Sequence, residues 1–528
     1  MSDLDLPALA AKERAQAREE WKTPMKEIDA ALIACTFGRF HIKLLSIAFV
    51  GFLAGILASS TTAYLLPSAE CDLKMDLLQK GLLNAMPYVG MLLSSVVAGF
   101  LTDAFGRKIF LGIGFLGLFI FQVIGGSSQT FEVLATAKFF EGLLYATAFS
   151  ACVSLTAEFS YSSIRDRMLL CQSSFIAVSH ILIAAMSWAI LTNDWRYSFF
   201  GGKFVLNTWN FYLYIMSLWA LGAFFMYVFC LPESPKYLLT QQKYDEAREI
   251  LIKIYKENTG KPAETYPFYN IWKDKNKHSI DETPEHAHTN IRHQIVEGLY
   301  NVKPMFQKPL VVHLAMTCCS NFIIMAMYNV LRLWFPQVSA IVEHNPVTEG
   351  EDLCSVLDIY TSSLKPVVHN SSYIKEVCVP NKSGHETYIN SMIVGVVCVI
   401  PYCINGILVN RVGKKLLLIV GGLCSVASSL GLRWANSKTL VVALFSISVA
   451  ISQSMLSLNQ AMTVEMFPTT TRTLAISMIM VIGRIGTLSG NIAFPIMLEM
   501  GCAIPFFTIS GCMVFVTIIS FFLPSKKK

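Results

Sequence analysis

Charge is what this sequence has least of. Only 15% of its 528 residues are Asp, Glu, Lys or Arg, against about 25% in ordinary soluble domains, while 54% are hydrophobic. A string of soluble domains of this length would need polar faces that the composition does not supply. An apolar run near the start is also missing. Residues 1–43 are polar, with a Lys-, Arg- and Glu-rich stretch from Ala8 to Trp21, so no secretory signal is expected. The absence of a Gly-x4-Gly-Lys-Ser/Thr loop argues against an ATP-driven pump. No nucleophile–base set stands out, and no enzyme is expected. His278, His286, His288 and His293 fall in a polar, Lys-rich, proline-containing segment. A solvated linker fits that composition better than a metal site, and neither a metal nor a cofactor is expected.

What is present is apolar sequence in long runs. A spanning helix takes about 20 residues, so twelve would consume roughly 240. Twelve such runs are legible, at 42–66, 80–102, 109–128, 131–157, 168–192, 207–231, 308–336, 389–409, 416–434, 438–463, 473–498 and 501–523. The expected protein is therefore all-α and polytopic, with the lipid bilayer as its main partner. Two gaps are long: 232–307, which is charged, and 337–388, which is polar with little charge. Within the first, Lys243 to Lys256 reads as an amphipathic helix with Ala247, Ile250, Leu251 and Ile254 on one face. That suits a lid packed under the bundle.

The net charge of +6 is one-sided, which argues for topology and against nucleic acid. Arg39, Lys43, Arg107, Lys108, Arg165, Arg167, Arg411, Lys414, Lys415, Arg472 and Lys526 to Lys528 all fall on the side that also carries 232–307. The positive-inside rule places that side and both termini in the cytosol. The expected parts are a cytosolic segment 1–41, a six-helix bundle 42–231, a cytosolic linker 232–307, a second bundle 308–523 and a tail 524–528. The 337–388 loop is then extracellular or luminal. Both Asn-x-Ser/Thr acceptors, Asn370 and Asn381, fall in it, so glycosylation is expected there. So do Cys354 and Cys378, and a disulfide between them is expected in that oxidising compartment.

The two bundles repeat each other. Gly99, Asp103, Gly106, Arg107 and Lys108 follow the second span; Gly406, Asn410, Gly413, Lys414 and Lys415 follow the eighth, every position 307 residues later. Glu158 and Arg165 after the fourth span correspond to Glu465 and Arg472 after the tenth, at the same offset of 307. Two motifs at one offset point to two six-helix repeats related by an axis along the membrane normal. A tight connection needs a residue of positive φ, which Gly106 and Gly413 can adopt. Asp103, Arg107 and Glu158 in one half, with Arg411, Lys414 and Glu465 in the other, are expected to form gate pairs at the cytosolic face. A plain topogenic basic cluster is the bland alternative.

These residues carry a resemblance. Gly99 to Lys108 is similar to the signature loop of the major facilitator superfamily. The run from Leu231 through Glu233 to Leu238 resembles the Pro-Glu-Ser-Pro-Arg motif of its sugar and organic-ion porters. Glu465 to Arg472 resembles their matching motif after span ten, and Gly483-Arg484-Ile485-Gly486 their Arg-x-Gly in span eleven. More narrowly, Gly38-Arg39-Phe40, Leu66 to Asp72, Lys80-Gly81-Leu82 and Met186 to Ile190 resemble the synaptic vesicle glycoprotein 2 family. The resemblance implies the major facilitator fold and alternating-access transport of a small organic solute, an organic ion or sugar-like molecule. A proton or other ion is the implied coupling partner, a monomer the expected state, and the plasma membrane or an intracellular vesicle the expected location. The alternative is a transporter-fold glycoprotein that mainly binds or regulates. Family members carry two acids in span one; the corresponding positions here are Gly55 and Ala58.

Ionisable residues inside the membrane mark pathways by default, because an unpaired charge is expensive there. Lys138 and Glu141 lie three apart in span four and can pair. His180 is near the middle of span five and Arg484 is deep in span eleven, whereas Arg332 is read as snorkelling from the outer end of span seven. Uncharged candidates for solute contact are Ser59, Ser60, Thr61 and Thr62 in span one, Asn321 and Asn329 in span seven, and Asn459 and Gln460 in span ten.

Overall fold

The computed structural model describes residues 27–202, 204–272, 306–344, 352–363, 383–467 and 469–524. Spans one to six are Arg39–Ala69, Leu77–Phe105, Arg107–Gly126, Phe131–Phe159, Ser162–Leu191 and Thr208–Phe225, the last running on through a π turn, Met226–Cys230. Spans seven to twelve are Leu310–His344, the pair His385–Val397 and Val399–Val412, then Lys414–Gly431, Lys438–Met466, Thr469–Met500 and Ala503–Phe522. Ten of these helices are long and apolar enough to cross a membrane. Span eight is broken at Cys398; Pro401 follows and has no N–H to give the carbonyl of Val397 four residues back.

Helix ends follow local chemistry. Asp76 accepts from the Gln79 N–H at 2.6 Å while the Gln79 side chain accepts from the Asp76 N–H at 3.0 Å, a capping box that starts span two. Span eight starts on a carboxylate from another helix: Glu343 accepts from the backbone N–H groups of Gly384, Glu386 and Thr387. Strands β1 (Arg196–Phe199) and β2 (Phe204–Asn207) form an antiparallel hairpin between spans five and six.

Helices within the first half approach closely through glycine. A Cβ on Gly142 of span four would sit 1.9 Å from the Pro87 carbonyl oxygen of span two. Under this half, and on the face that carries the ends of the described chain, the linker forms helices Pro235–Thr240 and Tyr244–Thr259. Ala247, Leu251 and Ile254 are buried, with Ile250 packed at their margin, against Ile28, Ala31 and Leu32 of a short helix over 27–34 and Cys35 just beyond it. Asn258 fixes the junction, accepting from the Phe40 N–H at 2.9 Å and donating to the carbonyls of Cys35 and Thr36. The amphipathic reading of this segment therefore holds.

Two expectations about the outer segment need correction. Span seven does not stop at 336 but continues to His344, because Pro336 is accommodated inside the helix and the residues beyond it are buried. The outer segment also contains its own helix, Leu353–Ser363. Cys354 on that helix is bonded to Cys502, 148 residues away, and not to Cys378. The helix packs across the outer end of the second half, where the Leu353 N–H donates to the Ala435 carbonyl and Asp358 accepts from the Cys502 N–H at 2.8 Å. That docking brings Cys502 to Cys354. Cys71 is disulfide-bonded as well. Cys378, Asn370 and Asn381 lie outside the described residues.

Candidate functional site

At the face that carries the linker helices, called the inner face, the two signature loops have the same shape. Gly106 has φ 94° and ψ 152°, and Gly413, at the equivalent position, has φ 89° and ψ 150°. Each begins the next helix without a break, a geometry that side chains rarely tolerate. The ion pairs repeat too. Arg107 meets Glu158 at 2.8 Å and Lys414 meets Glu465 at 2.6 Å, so spans three and four are tied as spans nine and ten are. Both pairs lie within a half. Arg165 donates to the Ser160 carbonyl and stands 3.7 Å from Asp29. Glu233 accepts from the Ser234 N–H at 3.0 Å and lies against Gly106, while Arg107 sits over the Tyr237 ring. Burial, with Arg165 nearby, lowers the pKa of the Lys236 ammonium in this cluster. Lys108 is partly buried and Arg411 exposed; Gly99 lies within the span-two helix, and the side chains of Asp103 and Arg472 are outside the described set.

The halves meet from the middle of the membrane outward. Arg484, midway along span eleven, donates to the Met91 carbonyl midway along span two at 3.0 Å. Further out, Gly81 packs against Asn491 and Pro495, Gly395 against Ile181, and the Trp188 indole donates to His385 at 2.6 Å. At the outer rim Lys80 pairs with Glu70 at 2.6 Å and donates to the Tyr360 hydroxyl at 3.0 Å. Gln337 of the second half donates to the same hydroxyl at 3.4 Å. Lys80 is fully buried there.

Between these levels lies Arg332. It does not snorkel. Its Nη1 donates to Ser60 at 2.7 Å and His180 at 3.0 Å, and its Nη2 to Tyr88 at 3.1 Å and Asn329 at 3.3 Å. The guanidinium also stands over the Tyr328 ring at 5.5 Å. Ser60, Tyr88 and His180 belong to spans one, two and five, so one side chain of span seven gathers three helices of the other half. A guanidinium only donates, hence His180 accepts through Nε2. The Tyr88 hydroxyl passes the network on to Asn329 at 2.9 Å, and Asn329 donates to Thr487 at 3.0 Å. Arg332 lines a cavity of about 30 Å³ with Ser60, Tyr64, His180, Tyr328 and apolar residues of spans eight and ten.

The chain matches the sugar (and other) transporter family over residues 31–329 and the major facilitator superfamily over residues 381–528. It belongs to the sugar (and other) transporter family. It is 25% identical to synaptic vesicle glycoprotein 2A of Homo sapiens over 275 residues, 51% of this chain and 36% of that protein. To synaptic vesicle glycoprotein 2B of Rattus norvegicus it is 24% identical over 345 residues, 63% of this chain and 49% of that one. It thus spans less than half the length of these relatives. Among solved structures it resembles the xylose transporter XylE of E. coli in a partially occluded inward-open conformation. That match has a TM-score of 0.61 and 15% identity over 92% of this chain and 100% of that one. A D-xylose-proton symporter gives a TM-score of 0.63 at 14% identity, covering 92% and 99%. The fold is the major facilitator fold of twelve helices.

The remaining candidates of this transporter-family chain separate by place. Lys138 and Glu141 are fully buried and paired at 2.9 Å, and Lys138 also donates to Thr61 at 3.0 Å. Of the four span-one candidates, Ser60 meets Arg332 and Thr61 meets Lys138. Ser59 donates to the Ile56 carbonyl of its own helix, and Thr62 is buried against packing. Asn321 donates to the Ile479 carbonyl and accepts from Asn459, pinning spans seven, ten and eleven. Gln460 donates to Met480. These three lie within the second half and do not reach Arg332. A Cβ on Gly55 would come 2.3 Å from the Tyr145 ring, so an aromatic fills the space at this position. Glu70 and Lys80 stood out in the sequence only as parts of resembling motifs and Tyr360 not at all; nothing in sequence distance or composition signals that the three meet.

Proposed function

We propose that this chain is a secondary transporter of a small organic solute, working by alternating access between its two six-helix halves in the membrane. One observation carries the reading. The inter-half contacts run outward from Met91–Arg484 to Glu70–Lys80–Tyr360, which is the arrangement of a transporter closed outside and turned inward. The Arg332 cluster lies within the closed zone, one level outward from the Met91–Arg484 contact, where a solute passing between the halves would meet polar groups. Arg107–Glu158 and Lys414–Glu465 are then stiffeners that keep each half rigid as it rocks. In this reading both termini and the linker 232–307 are cytosolic, and the outer segment bearing Asn370 and Asn381 is extracellular or luminal and glycosylated.

The test is uptake by the purified chain in liposomes, with D-xylose, D-glucose and a panel of organic ions, with and without an imposed pH gradient. Saturable exchange abolished by Arg107→Gln or Glu158→Gln supports the reading; no exchange of any solute counts against it. Accumulation driven by the pH gradient would require a titratable carrier, for which Glu141 and His180 are the candidates. A second reading, a transporter-fold glycoprotein that mainly binds, draws support from Tyr145 occupying the space at Gly55. No exchange of any solute would favour it, whereas downhill exchange without accumulation would keep transport and drop ion coupling.

A further inference from the structure

Arg332 is a cation whose protein partners, Ser60, His180, Tyr88, Asn329 and the Tyr328 ring, are all neutral. Its Nε–H is buried and has no hydrogen-bond partner among the described residues. Arg484 lies one level inward and donates to a backbone carbonyl. Tyr88 and Tyr145 are close enough to interact electrostatically with both arginines. Among the described residues no carboxylate pairs with either. Glu141, the acid of this depth, is committed to Lys138. The middle of the molecule therefore holds two positive charges with no counter-charge among the described residues.

We infer that the solute supplies it: the site takes an organic monoanion, a carboxylate on an apolar or aromatic body, held by Arg332. This rests on the transport reading for its setting but not for its chemistry. A guanidinium binds carboxylate through two parallel N–H groups, and the unsatisfied Nε–H together with Nη2–H, whose bonds are 3.1 and 3.3 Å, offers that edge. The apolar body follows from the walls, which include Tyr64, Tyr328, Phe335, Val394 and Val449. At about 30 Å³ the cavity holds about two waters and no solute, so the halves must part for the anion to enter. Because Ser60, Tyr88 and His180 hold the same guanidinium, the anion competes with the ties that close the halves. Recognition and rocking would share one side chain.

The experiment compares isosteres on the full-length purified chain. Thermal unfolding is followed with benzoate and phenylacetate against benzamide and phenylacetamide, with D-glucose as the sugar control. The expected result is stabilisation by the carboxylates at concentrations at least tenfold below those needed for the amides. Arg332→Gln should erase the preference, and Arg332→Lys should keep it in weaker form. Equal stabilisation by acid and amide, stabilisation by D-glucose alone, or a preference that survives Arg332→Gln overturns the inference. The wild-type comparison decides even where a variant does not fold. Labelled benzoate exchange in liposomes separates the two claims. Arg332-dependent binding without exchange upholds the anion site and sinks transport, while D-glucose exchange without carboxylate binding does the reverse.

Discussion

Two cations are buried at nearly the same depth in this molecule, against neighbouring residues of span one, and they are treated differently. Lys138 touches Thr61 and has Glu141 at 2.9 Å on its own helix, in a sealed site where the charges cancel. Arg332 touches Ser60 and has only neutral partners, most of them from the opposite half. Withdrawing an ion from water costs several kcal/mol even after relaxation. In the first case the protein returns the counter-charge from three residues away. In the second it leaves the compensation incomplete, at an interface between parts that must move. A compensated charge holds a fold together; an uncompensated one at a moving interface is available to a ligand.

The contrast can be broken at its strongest point. Glu141→Gln strands Lys138 in a sealed site and should destabilise the protein by about 3–5 kcal/mol, read as poor recovery of folded protein and a lower melting temperature. Lys138→Met with Glu141→Leu removes both charges and should restore most of the loss. If Glu141→Gln melts like wild type, the pair is not what makes the Lys138 charge tolerable. Ser60→Asp sharpens the contrast by giving Arg332 what Lys138 already has. A charge-assisted bond of about 1.5–3 kcal/mol should raise the melting temperature and abolish solute exchange. Unchanged melting with exchange intact would mean that the guanidinium lacks nothing. The inner pair Lys414–Glu465, with side chains 25% and 48% exposed, marks the small end of the scale. Glu465→Gln should cost less than about 1 kcal/mol in melting yet slow exchange, and a wild-type exchange rate would remove its part in the conformational cycle.

The same scale applies outside the membrane, where Asp352 pairs with Arg433 at the docked outer helix. Burial would raise its pKa, but the Ser355 N–H and hydroxyl and the Arg433 guanidinium outweigh it, so the value is lowered. The folded carboxylate is therefore the tighter acid. Its contribution is complete above the usual carboxylate range near 3.9 and is lost only as pH falls through the lower folded value. Protection of the Leu353–Ser363 amides, taken relative to their intrinsic exchange rates, should be unchanged between pH 7 and pH 5; protection already lost at pH 5 would contradict that sign.

Much of the site was written locally. The 307-residue offset reappears as matching glycine torsions at Gly106 and Gly413 and matching ion pairs, Arg107–Glu158 and Lys414–Glu465. Turn chemistry and charge spacing act over a few residues and survive any packing. Ser59, Ser60, Thr61 and Thr62 were legible as polar residues of span one, but not that Ser60 and Thr61 are the two that meet the buried cations. Nearly the whole outer two-thirds of that helix is buried, so hydropathy gives no face to read. Arg332 looked like a residue close enough to an end to reach water, because its helix seemed to stop at 336. In fact the helix continues to His344 and the guanidinium turns into the seam.

By itself the sequence determined the number of spans, the pairing of halves, the inner loops and the amphipathic lid, because hydropathy, caps and positive-φ glycine are properties of short stretches. The tertiary structure alone decided which cysteine meets Cys354, which serine meets Arg332, and that Lys138 is compensated while Arg332 is not. Those outcomes depend on which helices lie side by side. Cys354 reaches Cys502 across 148 residues and Arg332 reaches Ser60 from the other half. No local rule spans such a distance; only the packing of one helix against another brings the partners together.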